Sequence, residues 1–230
     1  MRLVTWNAAR GQFDKKAIWL DHLHADIAVI QEIAKPKVPS KNIVWFGVTD
    51  NQGVAIVVRS PYNVELLPEI ANAPKFFVPV KISGPVDFTL YAVWTLGQQV
   101  MKYVRAVTTS LDIYSSQLAT ETSVVIGDFN SNAKWDVHHP AALNHSAMLT
   151  KMNALQLQSA YHTHYNELHG TETRNSFYLH RNRDKGHHID FCFVPNAWVT
   201  NIVDVEVGTY AMWRKASDHC PLLVEFNTEA

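Results

Sequence analysis

Nine short segments rich in valine, isoleucine and aromatic residues recur along the chain, and their length constrains it more than any other feature. They are Leu3 to Trp6, Ile27 to Gln31, Val54 to Arg59, Phe76 to Ile82, Phe88 to Trp94, Ser123 to Ile126, Ile189 to Val194, Ile202 to Val207 and Leu222 to Phe226. Runs of this length and content read as strands, so the chain must be built on sheets. Three helical patterns fall between them. The clearest sets Val100, Val104, Val107, Leu111, Tyr114 and Leu118 at steps of three and four, which places them on one face. A second covers Lys15 to His24 with Asp14 as its cap. A third covers Asn144 to Leu155. Many strands with few helices predict an α/β (α+β) fold in which two sheets pack face to face with helices outside. No repeat is visible and no linker rich in proline, glycine or serine divides the chain. The stretch from Lys35 to Lys41 reads as a loop. Residues 1–230 are therefore read as one domain, as 230 residues allow.

Composition bounds the partners. Lysine plus arginine is 20 and aspartate plus glutamate is 21, giving a net charge of −1. No global positive field draws in nucleic acid, so any phosphate-binding surface has to be local. The two cysteines, Cys192 and Cys220, are far apart in sequence, which argues against a disulfide framework and a thiolate zinc site. The opening MRLVTWNAARG holds too short an apolar stretch for a secretory signal. No apolar run approaches the roughly 20 residues that span a bilayer. The default expectation is a cytoplasmic protein with no membrane partner and no evident obligate protein partner.

Polar residues gather where the strand-like segments end. Asn7 follows LVTW, and Gln31 and Glu32 follow IAVI. Asp128, Asn130 and Asn132 follow SVVIG. Asp190 lies within HHIDFCFV, and Asp218 and His219 precede CPLLVEF. A carboxylate or amide beside an apolar strand is costly unless solvated or partnered. One case is ordinary, but five of one chemical kind suggest strands that carry their polar ends to a single rim. Oxygen-rich residues of this kind suit a hard dication such as Mg²⁺ or Mn²⁺. Asn7 and Glu32 are candidate ligands, and Asp128 with Asn130 a candidate pair to orient and deprotonate a water. His219 is a candidate donor to a phosphate oxygen. Asp190 is a candidate partner to hold that imidazole in its donor tautomer. Together they describe in-line attack of water on phosphorus, aided by a metal.

The motifs resemble those of the endonuclease/exonuclease/phosphatase superfamily, the deoxyribonuclease I-like fold. The matching pieces are TWN (Thr5 to Asn7), QE (Gln31–Glu32), GVAIVVRS (Gly53 to Ser60), GDFNSN (Gly127 to Asn132), HIDF (His188 to Phe191) and SDHCPL (Ser217 to Leu222). TWN and QE are weak singly, but GDFN followed by IDF and SDHCPL in that order is highly specific. The resemblance implies a four-layer sandwich of two central, mostly antiparallel sheets flanked by helices, with the active site at one end of the sheets. It implies that Glu32, Asn7 and Asp218 lie at the metal, that Asp128 and Asn130 position and activate water, that His219 contacts the scissile phosphate, and that Asp190 orients His219. The chain departs from the pattern in three places. Trp94 stands where members often carry histidine or tyrosine. Ala9 replaces a second acidic ligand of the repair exonucleases, and His188 replaces the arginine before the ID pair. Specificity for abasic sites is therefore not carried over.

Other residues admit two readings. Arg174, Arg181, Arg183 and Lys185 against Asp184 make the segment from Arg174 to His188 locally positive by 4 − 1 = +3. It is either a phosphate-holding hairpin or a solvated tip. Arg174, Arg181, Arg183, His188 and Trp94 are counted as substrate-side candidates. His188 is expected to share a strand face with Asp190 and look into the cleft. The remaining histidines, including His138, His139, His162 and His164, show no HExxH spacing and are expected in solvent-facing loops. Trp135 and Trp213 are either base-stacking residues or a cover for the core, while Trp6 and Trp19, with Trp94 on its plainest reading, pack the core. Cys220 is expected to be buried and inert. The composite expectation is a metal-dependent phosphodiesterase acting on nucleic acid, DNA first. The alternative is hydrolysis of a small phosphorylated metabolite or nucleotide.

Overall fold

Strand pairing in the computed structural model, which describes residues 1–97 and 101–228, produces two six-stranded sheets. The chain runs β1 (Arg2–Asn7), α1 (Phe13–Asp21), β2 (Ile27–Ile33), β3 (Ile43–Thr49), β4 (Gln52–Val58), β5 (Asn63–Leu66), β6 (Phe77–Ser83), β7 (Phe88–Trp94), α2 (Val104–Ile113) and α3 (Ser115–Thr120). It continues through β8 (Ser123–Asp128), α4 (His145–Ala154), β9 (Leu157–Ser159), α5 (Ala160–Tyr165), β10 (Phe177–Tyr178), β11 (Gly186–His187), β12 (Asp190–Pro195), β13 (Ile202–Val207), α6 (Tyr210–Trp213) and β14 (Leu222–Phe226). The first sheet has the order β13-β14-β1-β2-β4-β3 and the second β5-β6-β7-β8-β12-β9. Among the described residues only β1–β2 and β7–β8 are parallel; the other pairs are antiparallel.

Side-chain alternation sorts the core into three layers of contact. Leu3, Ile27, Val29, Leu90, Val124, Ile126 and Cys192 point between the two sheets. Their neighbours Val4, Trp6, Ala28 and Ile30 point the other way, onto Phe13 and Leu20 of α1 and Trp213 of α6. From the second sheet, Tyr91, Val93, Val125, Phe191 and Phe193 meet Val104, Val107, Leu111, Leu118, Met148 and Met152 of α2, α3 and α4. Central strands covered on both faces read as unbroken apolar runs, which is why they were legible. The result is the four-layer sandwich that the motifs imply.

Several local readings change. The α1 helix starts at Phe13 behind Gln12, so Asp14 lies in its first turn and caps nothing. The long apolar stripe is split at Tyr114 into α2 and α3, and Val100 lies outside the described residues. Asn144 caps α4 by accepting from the backbone N–H of Ala147 at 2.8 Å. Strands β3, β5, β9, β10 and β11 were not read from the sequence. The last four are edge or hairpin strands of two to four residues, too short to stand out, whereas β3 is an edge strand that does open with an apolar run, Ile43 to Phe46.

Topology places the site. The C-terminal ends of β1 and β2 lie together because those strands are parallel. Asp190, which begins β12, pairs with Asp128, which ends β8. Thr5 of β1 pairs with Leu222, so the SDHC segment lies just beyond Asn7. The Ser217 hydroxyl donates to the carbonyl of Asn7 at 2.6 Å and accepts from the backbone N–H of His219 at 2.9 Å. Five distant segments therefore meet at one rim.

Candidate active site

A chain of polar contacts crosses this rim from Glu32 to Asp190. Glu32 sits at a bulge in β2, where the register with β4 shifts between Ile30 and Ile33, and it holds a left-handed backbone at φ 56°. Bulges of this kind turn a side chain out of the sheet plane. Asn7 Nδ2 donates to Glu32 Oε1 at 3.2 Å and to Asp128 Oδ2 at 2.9 Å. Its Oδ1 accepts from the backbone N–H of Ala9 at 2.9 Å. Asn7 thus bridges the two carboxylates as a donor, and its Oδ1, which accepts one hydrogen bond, keeps a second lone pair.

Asp128 is completely buried and is held by Asn130 twice over. The backbone N–H of Asn130 donates to Oδ1 at 2.9 Å and its Nδ2 to Oδ2 at 3.1 Å. That Nδ2 also donates to the carbonyl of Thr95 at 2.9 Å. Asn130 holds the left-handed region at φ 44°, so the turn that folds its amide back onto Asp128 is strained. The strand tip approaches closely at Gly127: a Cβ there would lie 2.0 Å from the carbonyl oxygen of Val93, at φ 151°. Only glycine lets β8 pass so close to β7.

His219 faces the same group from the other side. Its Nδ1 lies 2.9 Å from Asp190 Oδ2, with both side chains buried. Ser176 donates its hydroxyl to that oxygen at 2.7 Å and accepts from the backbone N–H groups of Ile189 and Asp190. Burial alone would lower the basicity of His219. The Asp190 carboxylate, with Asp128 and Asp218 further off, overrides it and raises the imidazole to about 9. Burial pushes Asp128 the opposite way, well above the usual carboxylate range; His219 draws it back and Asp190 adds to the rise. Asp128, Asp190 and His219 each bring a donor atom within 4.8 Å of the others. With His219 Nδ1 on Asp190 and both Asp128 oxygens held by Asn7 and Asn130, this trio reads as a proton-handling group.

Metal fit is best at Glu32. Its carboxylate, with a side chain 23% exposed, meets only long contacts: Asn7 at 3.2 Å, Gln52 Nε2 at 3.4 Å and Arg10 Nε at 3.9 Å. An under-neutralised carboxylate beside amide groups suits a hard cation with oxygen ligands. Asp218 is half-buried, and its charge acts on His219 and on the ammonium of Lys16. No contact ties it to Glu32 among the described residues.

The substrate-side candidates divide. Arg181 and Arg183 are exposed on the hairpin of β10 and β11. That hairpin adjoins the site, since Phe177 bridges to His219 and the backbone N–H of Tyr178 donates to the carbonyl of Asp218 at 2.8 Å. Arg183 also lines a surface groove of about 380 Å³ with Tyr178, Thr209 and Tyr210. Arg174 lines the same groove, but its guanidinium is engaged 3.6 Å over the Tyr165 ring and 3.4 Å from Glu167 Oε1. His188 does not look into the cleft. It precedes β12, so strand alternation does not apply to it, and it is buried with its ring 4.2 Å from that of Tyr161. Trp94 points between the sheets, 2% exposed, with its ring 4.8 Å from Phe76. Trp213 is core as well, packed on Trp6 and Trp19. Cys220 is buried and its thiol is pushed up to about 12 by burial.

Ser176, Gln52 and Arg10 were missed in the sequence. Each is a common residue in no motif, and only the tertiary contacts single it out.

Comparison with known proteins is consistent with this arrangement. A profile described as the Endonuclease/Exonuclease/phosphatase family matches residues 4–219. No curated protein sequence matches the chain. Among solved structures, a 3′-5′ exonuclease from Neisseria meningitidis superposes with a TM-score of 0.70 at 20% identity, covering 99% of this chain and 100% of its own. An AP endonuclease from Archaeoglobus fulgidus gives 0.69 at 20% identity, with 99% of each chain covered. The endonuclease domain of TRAS1, a telomere-specific non-LTR retrotransposon, gives 0.69 at 17% identity over 100% of this chain and 99% of that domain. At these identities the likeness speaks for the fold.

Proposed function

Because the chain belongs to the endonuclease/exonuclease/phosphatase family, a family of phosphoester hydrolases, we propose that it cleaves phosphodiester bonds in nucleic acid, DNA first, with the help of a divalent cation. The observation that carries the reading is the buried His219–Asp190 pair, at 2.9 Å, set against Asp128 across one small group. A solved relative described as a 3′ phosphatase from Neisseria is bound to a product DNA hairpin. That supports DNA as the first substrate to test.

A hard dication, Mg²⁺ or Mn²⁺, held by Glu32 with Asp218 and Asn7 as further candidates, would offset charge on the phosphoryl oxygens. The chain's own residues account for the proton movements. Asp128 is aimed by three hydrogen bonds from Asn7 and Asn130. Its raised affinity for protons suits a general base working near neutrality, taking one proton from water as the water oxygen attacks phosphorus. His219 stays protonated because of Asp190 and donates from Nε2 to a phosphoryl oxygen as negative charge builds there. The bond from phosphorus to the leaving oxygen breaks opposite the attacking water, and that oxygen takes its proton from solvent. Arg181 and Arg183 supply phosphate contacts beyond the scissile bond.

The second reading, a small phosphorylated compound as substrate, is favoured by the net charge of −1, since tight binding to a polyanion usually needs many cationic contacts. One experiment separates them. The purified protein with Mn²⁺ is offered single-stranded DNA, duplex DNA, abasic duplex, RNA and a panel of small phosphoesters, with Asp128→Ala as blank. Turnover of DNA well above the blank, abolished by EDTA and restored by Mn²⁺ or Mg²⁺, supports the proposal. Turnover confined to the small esters selects the second reading, and activity that survives EDTA removes the metal.

A further inference from the structure

The histidines that take no part in the site above are not scattered. His162 is buried, contrary to the expectation of a solvent-facing loop, and His188 is buried beside it, whereas His138 and His164 are exposed. His162 lies in α5, and His169 and Glu172 follow it in the next loop. His162 Nε2 lies 3.1 Å from Glu172 Oε1, with those side chains 8% and 3% exposed. The ring of His169 lies 3.4 Å from that of His162, nearly parallel at 21°. Imidazole lone pairs lie in the ring plane, so one of the two rings has to turn out of the stack for both to hold one ion. Each of the three residues offers one ligand atom within 4.8 Å of the other two.

The surroundings carry a second, independent sign. Three imidazoles are anchored through Nδ1: His162 on the Ser159 hydroxyl at 2.7 Å, His145 on the Ser131 hydroxyl at 3.1 Å and His188 on the Arg174 carbonyl at 2.8 Å. A histidine that binds metal through one nitrogen is normally oriented this way through the other. The arrangement leaves His145 Nε2, His188 Nε2 and His169 Nδ1 buried with no partner. His145 and His188 are themselves almost fully buried. Buried polar groups are rarely left unpartnered, and each such case calls for a bound species or a function. Phe191, with its ring about 6 Å from those of His162 and His169, supplies an apolar wall.

We propose that His162, His169 and Glu172 form a second metal site, separate from the catalytic group, for a borderline transition-metal dication of the Zn²⁺ type. Two imidazoles and one carboxylate suit zinc and disfavour Mg²⁺, which takes oxygen ligands. The site is tied to the catalytic loop from behind. Glu172 Oε2 accepts from Asn132 Nδ2 at 2.9 Å, and that same nitrogen donates to the carbonyl of His188 at 2.9 Å. Asn132 belongs to the GDFNSN turn that carries Asp128 and Asn130. Zinc here acts as a staple, holding the 166–174 loop against that turn. The inference does not depend on the substrate proposed above.

The test uses the full chain, stripped of metal and then held in excess Mg²⁺ to satisfy any hard-cation site. Zn²⁺ retained after desalting is measured by elemental analysis, Co²⁺ is titrated with visible absorption as readout, and melting is followed with and without Zn²⁺. Expected are one Zn²⁺ per chain, strong visible bands from low-coordinate Co²⁺ and a higher melting temperature with Zn²⁺. His169→Gln and Glu172→Gln should each weaken binding by about tenfold or more, whereas Glu32→Gln should leave it unchanged. His169 is partly exposed, so its variant is expected to fold and carries the test if Glu172→Gln does not. Absence of retained zinc in the unaltered chain, or full retention by a folded His169→Gln, overturns the proposal.

Discussion

Asp190 and His219 lie 29 positions apart in sequence, yet Oδ2 of one and Nδ1 of the other are 2.9 Å apart in a buried setting. The pair sets the charge of the imidazole. Its folded-state basicity is raised, so the charged form contributes stability in full below the ordinary histidine range. That contribution is lost as pH rises through about 9.

Asp190→Asn keeps the shape and removes the charge. The His219 ring signal, followed by NMR across pH, should titrate at clearly lower pH in the variant than in the parent, and kcat at neutral pH should fall by roughly two orders of magnitude. An unchanged titration midpoint would show that Asp190 does not govern His219.

Asp128→Asn should lower kcat by about a hundred- to ten-thousandfold while the protein remains folded. Stability should move the other way. The folded state holds the Asp128 proton more tightly than the unfolded state does, so the native carboxylate is increasingly penalised as pH climbs from acid toward neutrality. Melting of the metal-free variant at mildly alkaline pH should therefore occur at a higher temperature than the parent. A lower temperature would mean that the hydrogen bonds from Asn7 and Asn130 outweigh burial.

Replacing Arg181 and Arg183 together by alanine should weaken binding to duplex DNA. It should also flatten the dependence of log K on log salt by about 0.9 for each phosphate that the variant no longer neutralises. Hydrolysis of a nitrophenyl phosphodiester should barely change. Equal losses on both substrates would detach the hairpin from nucleic acid.

Gly127→Ala should be severely destabilising. The added Cβ meets the Val93 carbonyl oxygen at 2.0 Å, and the backbone there is already left-handed. Relief of the clash and backbone strain together should cost about 3 kcal/mol or more. Chemical denaturation would measure it, and a loss below about 1 kcal/mol would show that β7 and β8 can separate locally.

Much of this protein was legible in its residues. Strands covered on both faces, such as Phe88 to Trp94, read as continuous apolar runs, and the polar residues at their ends marked the rim. The motifs carried Asp128 and Asn130 in GDFN, Asp190 in HIDF and His219 in SDHCPL. The edge strand β5 was hidden, since a short, half-exposed strand carries no unbroken apolar signal, whereas the run Ile43 to Phe46 does mark β3.

What the sequence determined by itself was the alternation of each strand and the chemistry at its tip, both of which are properties of near neighbours. Direction and partnership were decided by tertiary packing. The bulge at Glu32 aims one carboxylate at Asn7, and Ser176 buttresses Asp190 from 14 positions away. Arg174 is drawn off to Tyr165 and Glu167, and His188 turns into the histidine cluster behind the catalytic turn. Such contacts depend on which elements the sheets bring side by side, and no local pattern encodes that.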